Sequence, residues 1–131
     1  MNSIKIVIFS IFFCLVRCTF DRTASISFEK EIVSFNIVKG NKFTTNFVFS
    51  NSGNGDLVIK SVDVSCGCVL ANYPKYPISP GEKGIITVIY DSNLNGNEGM
   101  VSNDILVESN TNPILHKLSI SGEVRGLISG K

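Results

Sequence analysis

Tryptophan is absent from the 131 residues, and histidine occurs once, as His116. One imidazole leaves few ways to build a metal site or a general-base pair within one chain. No Gly-x-Ser-x-Gly elbow occurs, so His116, Asp104 and the scattered serines are the ingredients of a triad in composition only. Gly53-Asn54-Gly55 lacks the further glycine and the helix of a phosphate cradle. Asp91–Glu98 sets two acids among asparagines without matching a Ca²⁺ loop. No cofactor fingerprint is present and none is expected. Charge is nearly balanced, with twelve Lys and Arg against eleven Asp and Glu. No basic run interleaves aromatics, so nucleic acid is not an expected partner.

Long apolar runs are equally scarce. The one example, Ile6–Val16, is broken only by Ser10, preceded by Lys5 and followed by polar residues from Thr19. At about 1.5 Å per residue, so short a run cannot cross a hydrocarbon core of roughly 30 Å as a helix. Its length is that of the apolar region of a secretory signal. Residues 1–18 are therefore expected to be a signal peptide, which places the protein outside the cytoplasm, in the periplasm or at the cell surface. Leu15-Val16-Arg17-Cys18 has the outline of a lipobox with Cys18 as the lipidation candidate, although Arg17 stands where a small residue is usual. Acylation there would supply a membrane anchor; ordinary cleavage after Cys18 would leave a soluble protein. Removing these residues takes away Lys5 and Arg17 and no acid, leaving ten bases against eleven acids, a net −1. It also leaves Cys66 and Cys68 as the remaining thiols. About 113 residues then remain of 131, enough for one domain.

The remainder reads as short β-rich runs between Gly, Asn, Pro and Asp, with no stretch that supports a long amphipathic helix. Ile26–Phe28 and Ile32–Val38 come first, closed by Lys39-Gly40-Asn41 as a hairpin turn. In Lys42–Ser50, Phe43, Thr45, Phe47 and Phe49 alternate with Lys42, Thr44, Asn46 and Val48, the clearest half-buried strand. Leu57–Val64 follows the Asn51–Asp56 loop. Tyr73–Pro80 is too rich in proline for a central ladder and is expected at an edge or crossing between layers. Ile85–Tyr90 carries β-branched residues on both faces, as an inner strand does. Met100–Glu108 sets Val101, Ile105 and Val107 on one face, and Leu115–Val124 sets Leu118, Ile120, Gly122 and Val124 on one face. The expected fold is all-β: an immunoglobulin-like sandwich of about seven antiparallel strands over residues 26–124, after a linker at 19–25 and before a tail at 125–131. The antibody pattern of Cys, Trp and Cys is missing. Cys66 and Cys68 are also too close to staple two sheets about 10 Å apart.

Several motifs recur here in a familiar order: Phe47-Val48-Phe49-Ser50-Asn51-Ser52-Gly53, Leu57-Val58-Ile59, Cys66-Gly67-Cys68, Pro80-Gly81-Glu82, and Ser109-Asn110 before Leu118–Gly122. With them the chain resembles the bacterial domain-of-unknown-function 1573 family, exported Ig-like domains that carry a Cys-Gly-Cys. That family is similar to the Ig-like domains of sperm-protein and ciliary-protein scaffolds. The resemblance runs from about Ile26 to Val124. It implies the fold and an extracytoplasmic setting in bacteria of the Bacteroidetes type, and it implies no activity. Val69 departs from the threonine usual after the second cysteine.

Cys66-Gly67-Cys68 carries most of the available chemistry. Residues i and i+2 of a strand lie roughly 6.6 Å apart, whereas bridged Cβ atoms stand at about 3.5–4.5 Å. A disulfide between Cys66 and Cys68 therefore requires a bend at Gly67, and its loop is too short to stabilise the fold much. As metal ligands, Cys66, Cys68 and His116 fall one short of a closed tetrahedral set. As a redox pair, the cysteines have Ser65, Val69 and Asp63 as neighbours rather than the cations or helix N-terminus that favour a thiolate. Tyr73 and Tyr76 among the prolines offer either a recognition surface or a packed edge. The expected function is a non-catalytic binding or structural module of the bacterial cell envelope. Its partner would be a protein or another envelope component, with membrane contact only through a lipid on Cys18. The alternative is metal binding or disulfide exchange through Cys66 and Cys68.

Overall fold

The computed structural model describes residues 20–128; the expected signal peptide and Cys18 lie outside them. Eight strands form: β1 (Ile26–Phe28), β2 (Ile32–Val38), β3 (Lys42–Asn51), β4 (Ile59–Val64), β5 (Val69–Asn72), β6 (Lys83–Asp91), β7 (Gly99–Ser109) and β8 (Leu115–Arg125). They make two four-stranded sheets, ordered β1-β3-β6-β5 and β2-β8-β7-β4. Among the described residues no helix is long and apolar enough to cross a membrane.

The alternation seen in β3 does what its period requires: Phe47 and Phe49 are fully buried while Lys42, Thr44 and Asn46 face solvent. On β6 the same period buries Ile86, Val88 and Tyr90. The second sheet contributes Phe35, Val101, Ile105, Val107, Leu118, Ile120 and Val124 from its inner face. Aromatic rings cross the gap between layers. Phe35 on β2 stacks on Phe43 of β3 at 4.6 Å between centroids and meets Tyr90 of β6 at 5.1 Å. Packing of apolar faces from two sheets makes this an immunoglobulin-like β-sandwich.

Three expectations give way to the tertiary arrangement. There are eight strands because β5, four residues long, starts at the Cys-Gly-Cys turn and is too short to show a period. The strands are not all antiparallel: β2 pairs in parallel with β8, from Ile32↔Ser119 to Val38↔Arg125. Lys39-Gly40-Asn41 is consequently no hairpin. It carries the chain from one sheet to the other, with Gly40 at φ +95°, a region that glycine occupies without steric cost. The buried hydroxyl of Ser92 secures this crossing, donating to Asn41 O at 2.6 Å and accepting from Gly40 N at 2.9 Å.

β6 is an inner strand as expected, flanked by β3 and β5, yet its outward side is open and Ile85 is 48% exposed. Thr23–Ser25, expected as linker, is stitched to the sandwich. Thr23 N donates to Asn54 Oδ1 at 2.8 Å, and Ser52 N donates to Ser25 O at 2.9 Å. At the other end β8 continues through Arg125, one residue past the expected limit.

Candidate functional site

β4 ends at Val64 on the edge of the second sheet, and β5 begins at Val69 on the edge of the first. The four residues between them must turn the chain from one layer to the other. Ser65 extends the β4–β7 pairing, donating through its N–H to Asp104 O at 3.2 Å and accepting from Asp104 N at its hydroxyl at 3.1 Å. Cys66-Gly67-Cys68-Val69 then closes a tight turn, with Val69 N donating to Cys66 O at 3.1 Å. The turn brings the two Cα atoms to 5.1 Å and the two sulfurs to disulfide-bonding distance. The chain thus bends as the spacing requires. Gly67 has no left-handed φ, and a Cβ there would meet nothing within 4 Å. The bend is therefore an ordinary turn that does not depend on glycine.

The two cysteines occupy different surroundings. Cys68 is 1% exposed and belongs to the core, with its carbonyl accepting from Asp91 N at 2.8 Å. Cys66 is partly exposed and lines an open depression of ≈ 340 Å³ with Asn95, Asn97, Met100, Ser102 and Asn103. Its sulfur accepts the N–H of Cys68 at 3.1 Å. One wall of the depression is fixed from within the core, because Asn95 Nδ2 donates to the hydroxyl of buried Tyr90 at 3.0 Å.

His116 is elsewhere. It lies opposite Val107, whereas the cysteine turn follows the pairing of Ser65 with Asp104. That offset of three to four residues corresponds to about 10–13 Å along the sheet. Its Nε2 pairs with Thr111 Oγ1 at 2.8 Å, and its ring packs on Phe28 at 6.0 Å between centroids. The structure therefore does not bring Cys66, Cys68 and His116 together as a metal set. No cluster of three or more His, Cys, Asp or Glu occurs among the described residues. Asp104 turns to Ser119 Oγ at 2.8 Å and Lys117 Nζ at 3.1 Å instead of His116. Those two bonds hold its carboxyl below the usual range, the serine contributing most. The acids of 91–98 also part. Asp91 accepts from Asn93 N at 2.9 Å and pairs with Lys42 at 3.1 Å, while Glu98 pairs with Lys39 at 3.2 Å.

Tyr73 and Tyr76 frame a second depression of ≈ 340 Å³ on the outward side of the first sheet, together with Asn72, Lys83, Ile85 and Thr87. Tyr73 packs against the core and receives Lys75 Nζ over its ring at 3.1 Å, whereas Tyr76 is 65% exposed. Leu70 of edge strand β5 stands outward nearby, 60% exposed. Leu70 escaped notice in the sequence because β5 itself did. So did Asn51, which reads as the start of a loop. It is fully buried, and its amide donates to Gly55 O at 2.7 Å and Ile78 O at 2.9 Å.

Residues 26–124, nearly the whole described sandwich, match the family model described as "Protein of unknown function (DUF1573)". The chain belongs to this family. No curated protein matches the DUF1573 chain. Among solved structures it is similar to a protein of unknown function from Porphyromonas gingivalis W83. The TM-score is 0.71 at 18% identity, over 79% of this chain and 48% of that one. The DUF1573 chain thus spans about half the length of that relative. It is also similar to the ASH/PapD-like domain 7 of human CEP192, with TM-score 0.66 at 9% identity over 84% and 92% of the two chains. The periplasmic chaperone SfaE aligns with TM-score 0.59 at 9% identity over 81% and 60%. At these identities the likenesses concern the fold.

Proposed function

We propose that this DUF1573 chain is an exported, non-catalytic binding module of the bacterial cell envelope that takes a protein partner. The observation that carries this reading is the outward side of the first sheet, where Tyr76 and Ile85 stand exposed at the Tyr73–Thr87 depression and Leu70 stands exposed farther along edge strand β5. Single exposed apolar side chains are ordinary, but a cluster beside an edge strand is a place where an extended chain adds its main-chain bonds and side chains. The apolar run Ile6–Val16 supports export. The fold shared with the periplasmic chaperone SfaE is consistent with a module that works by contact.

The test places a photo-crosslinking residue at Ile85 or Tyr76, and at Ser34 on β2 as control, in the full chain expressed in a Bacteroidetes host. A defined envelope protein crosslinked from Ile85 and Tyr76 and not from Ser34 supports the proposal. Equal crosslinking from all three positions, none from any, or retention of the protein in the cytoplasm overturns it.

A further inference from the structure

The proposed binding face does not involve the cysteine turn, and the turn has an asymmetry of its own. Cys66 is partly buried against the core and lines an open depression, whereas Cys68 lies within the core. Thiol–disulfide exchange depends on which sulfur an incoming thiolate reaches and on how readily the other sulfur is released. We propose that the Cys66–Cys68 pair, when oxidised, is a disulfide-exchange site for thiolates, attacked at Cys66 with Cys68 as the buried resolving thiol.

Three observations carry the assignment. Access is one-sided, because Cys66 lines the depression and Cys68 is in the core. The residues lining the depression include no carboxylate; Asn95, Asn97, Ser102 and Asn103 supply neutral polar groups beside Met100 and Val101. Finally, the N–H of Cys68 donates to Cys66 Sγ at 3.1 Å. That bond closes the turn that sets Cys66 at the depression and Cys68 in the core.

The chemistry balances with a dithiol as the second reactant. A thiolate of the dithiol attacks Cys66 Sγ and forms a new S–S bond as the Cys66–Cys68 bond breaks. The electron pair passes to Cys68 Sγ, which takes a proton from solvent. The second thiolate of the dithiol then attacks its own sulfur in the mixed disulfide and expels Cys66 as a thiolate. The dithiol is oxidised by two electrons, and the chain is reduced to a pair of thiols. With a monothiol the sequence stops at the mixed disulfide, or reverses when Cys68 attacks Cys66 and expels the monothiol.

The test uses the oxidised full-length chain and two probes, glutathione and a reduced peptide with two cysteines, with acid quenching and mass mapping. With glutathione the adduct is expected on Cys66 over Cys68 by about tenfold or more. With the dithiol peptide, peptide disulfide and reduced chain are expected in equal amounts. An adduct divided evenly or favouring Cys68 overturns the proposal, as does reduction that occurs only in denaturant. Exchange with glutathione but not with the peptide assigns the site to small thiols; exchange with both admits protein segments. Alkylation supplies an independent measurement. In Cys68→Ser, Cys66 is expected to react with iodoacetamide about tenfold faster than Cys68 does in Cys66→Ser, and parity in folded protein overturns the assignment. Should either variant fail to fold by circular dichroism, the unmodified chain's adduct map decides alone.

Discussion

The ring of Phe49 lies over Gly84, its cross-strand partner, so closely that a Cβ on residue 84 would collide with the ring. The second sheet repeats the device with Phe35 across Gly122. At Gly84 the missing side chain makes room for the buried ring; at Gly122 it makes room first for the Phe35 backbone carbonyl and then for the base of its ring. Gly84→Ala is expected to destabilise the fold by about 1–3 kcal/mol through overpacking. Gly67→Ala is expected to stay within about 0.5 kcal/mol, since residue 67 has open space and no left-handed φ. Urea unfolding of the two variants checks this contrast; equal losses would contradict it.

Asn51 ties the 51–55 loop to Ile78 of the proline-rich Tyr73–Pro80 segment. Its amide serves two carbonyls, and its Oδ1 accepts from Gly53 N at 3.0 Å, all with no solvent exposure of the residue. Asn51→Ala leaves the Gly55 and Ile78 carbonyls without this donor. A loss of about 2 kcal/mol is expected: Ile78 O keeps the Leu57 N–H, but Gly55 O loses this donor, and a buried polar group left unpaired costs roughly 1–3 kcal/mol. A change in the urea midpoint corresponding to less than half of that loss would show that water replaces the amide.

Acid is expected to weaken the fold. The N–H of Asn93 and the Lys42 ammonium hold Asp91 below its ordinary value of 3.8, and Ser119 and Lys117 do the same for Asp104. The folded chain therefore releases these protons more readily than the unfolded chain. The stabilisation is present above the unfolded value and is lost as pH falls through the lowered folded values. The urea midpoint is expected to be level between about pH 7 and 5 and to decline below about pH 4, with a shallower decline in the Asp91→Asn, Asp104→Asn double variant. Half-exposed Asp104 contributes the smaller, salt-sensitive share, and the better-covered Asp91 the larger. A midpoint that rises on acidification would refute this account.

Reducing the Cys66–Cys68 pair is expected to cost only about 1–2 kcal/mol, because so short a loop removes little entropy from the unfolded chain. Thermal unfolding with and without dithiothreitol reads the difference directly. Loss of the folded state on reduction would mean that the turn between the sheets depends on the bond.

Most strands were legible in the sequence because burying one face of a strand imposes a period of two on neighbouring residues. Phe43–Phe49 and Leu118–Val124 display it plainly. β5 was not legible, since four residues cannot display a period, and with it went Leu70 and the edge of the proposed binding face. Asn51 reads as loop in the sequence because nothing in a polar residue between Ser50 and Ser52 distinguishes a buried hub from a solvated turn.

The sequence by itself determined the β-rich character of the chain, the bend that any bridge between Cys66 and Cys68 requires, and the family. Only the tertiary structure decided that β2 lies parallel to β8, that His116 belongs with Thr111 rather than with the thiols, and that Cys66 faces a depression while Cys68 faces the core. The physical reason is range. Side-chain alternation and turn geometry act over a few neighbouring residues, and they are written locally. Sheet membership and solvent access are set by contacts between residues far apart in the chain, which exist only once both layers have closed on the Phe35–Phe43–Tyr90 cluster.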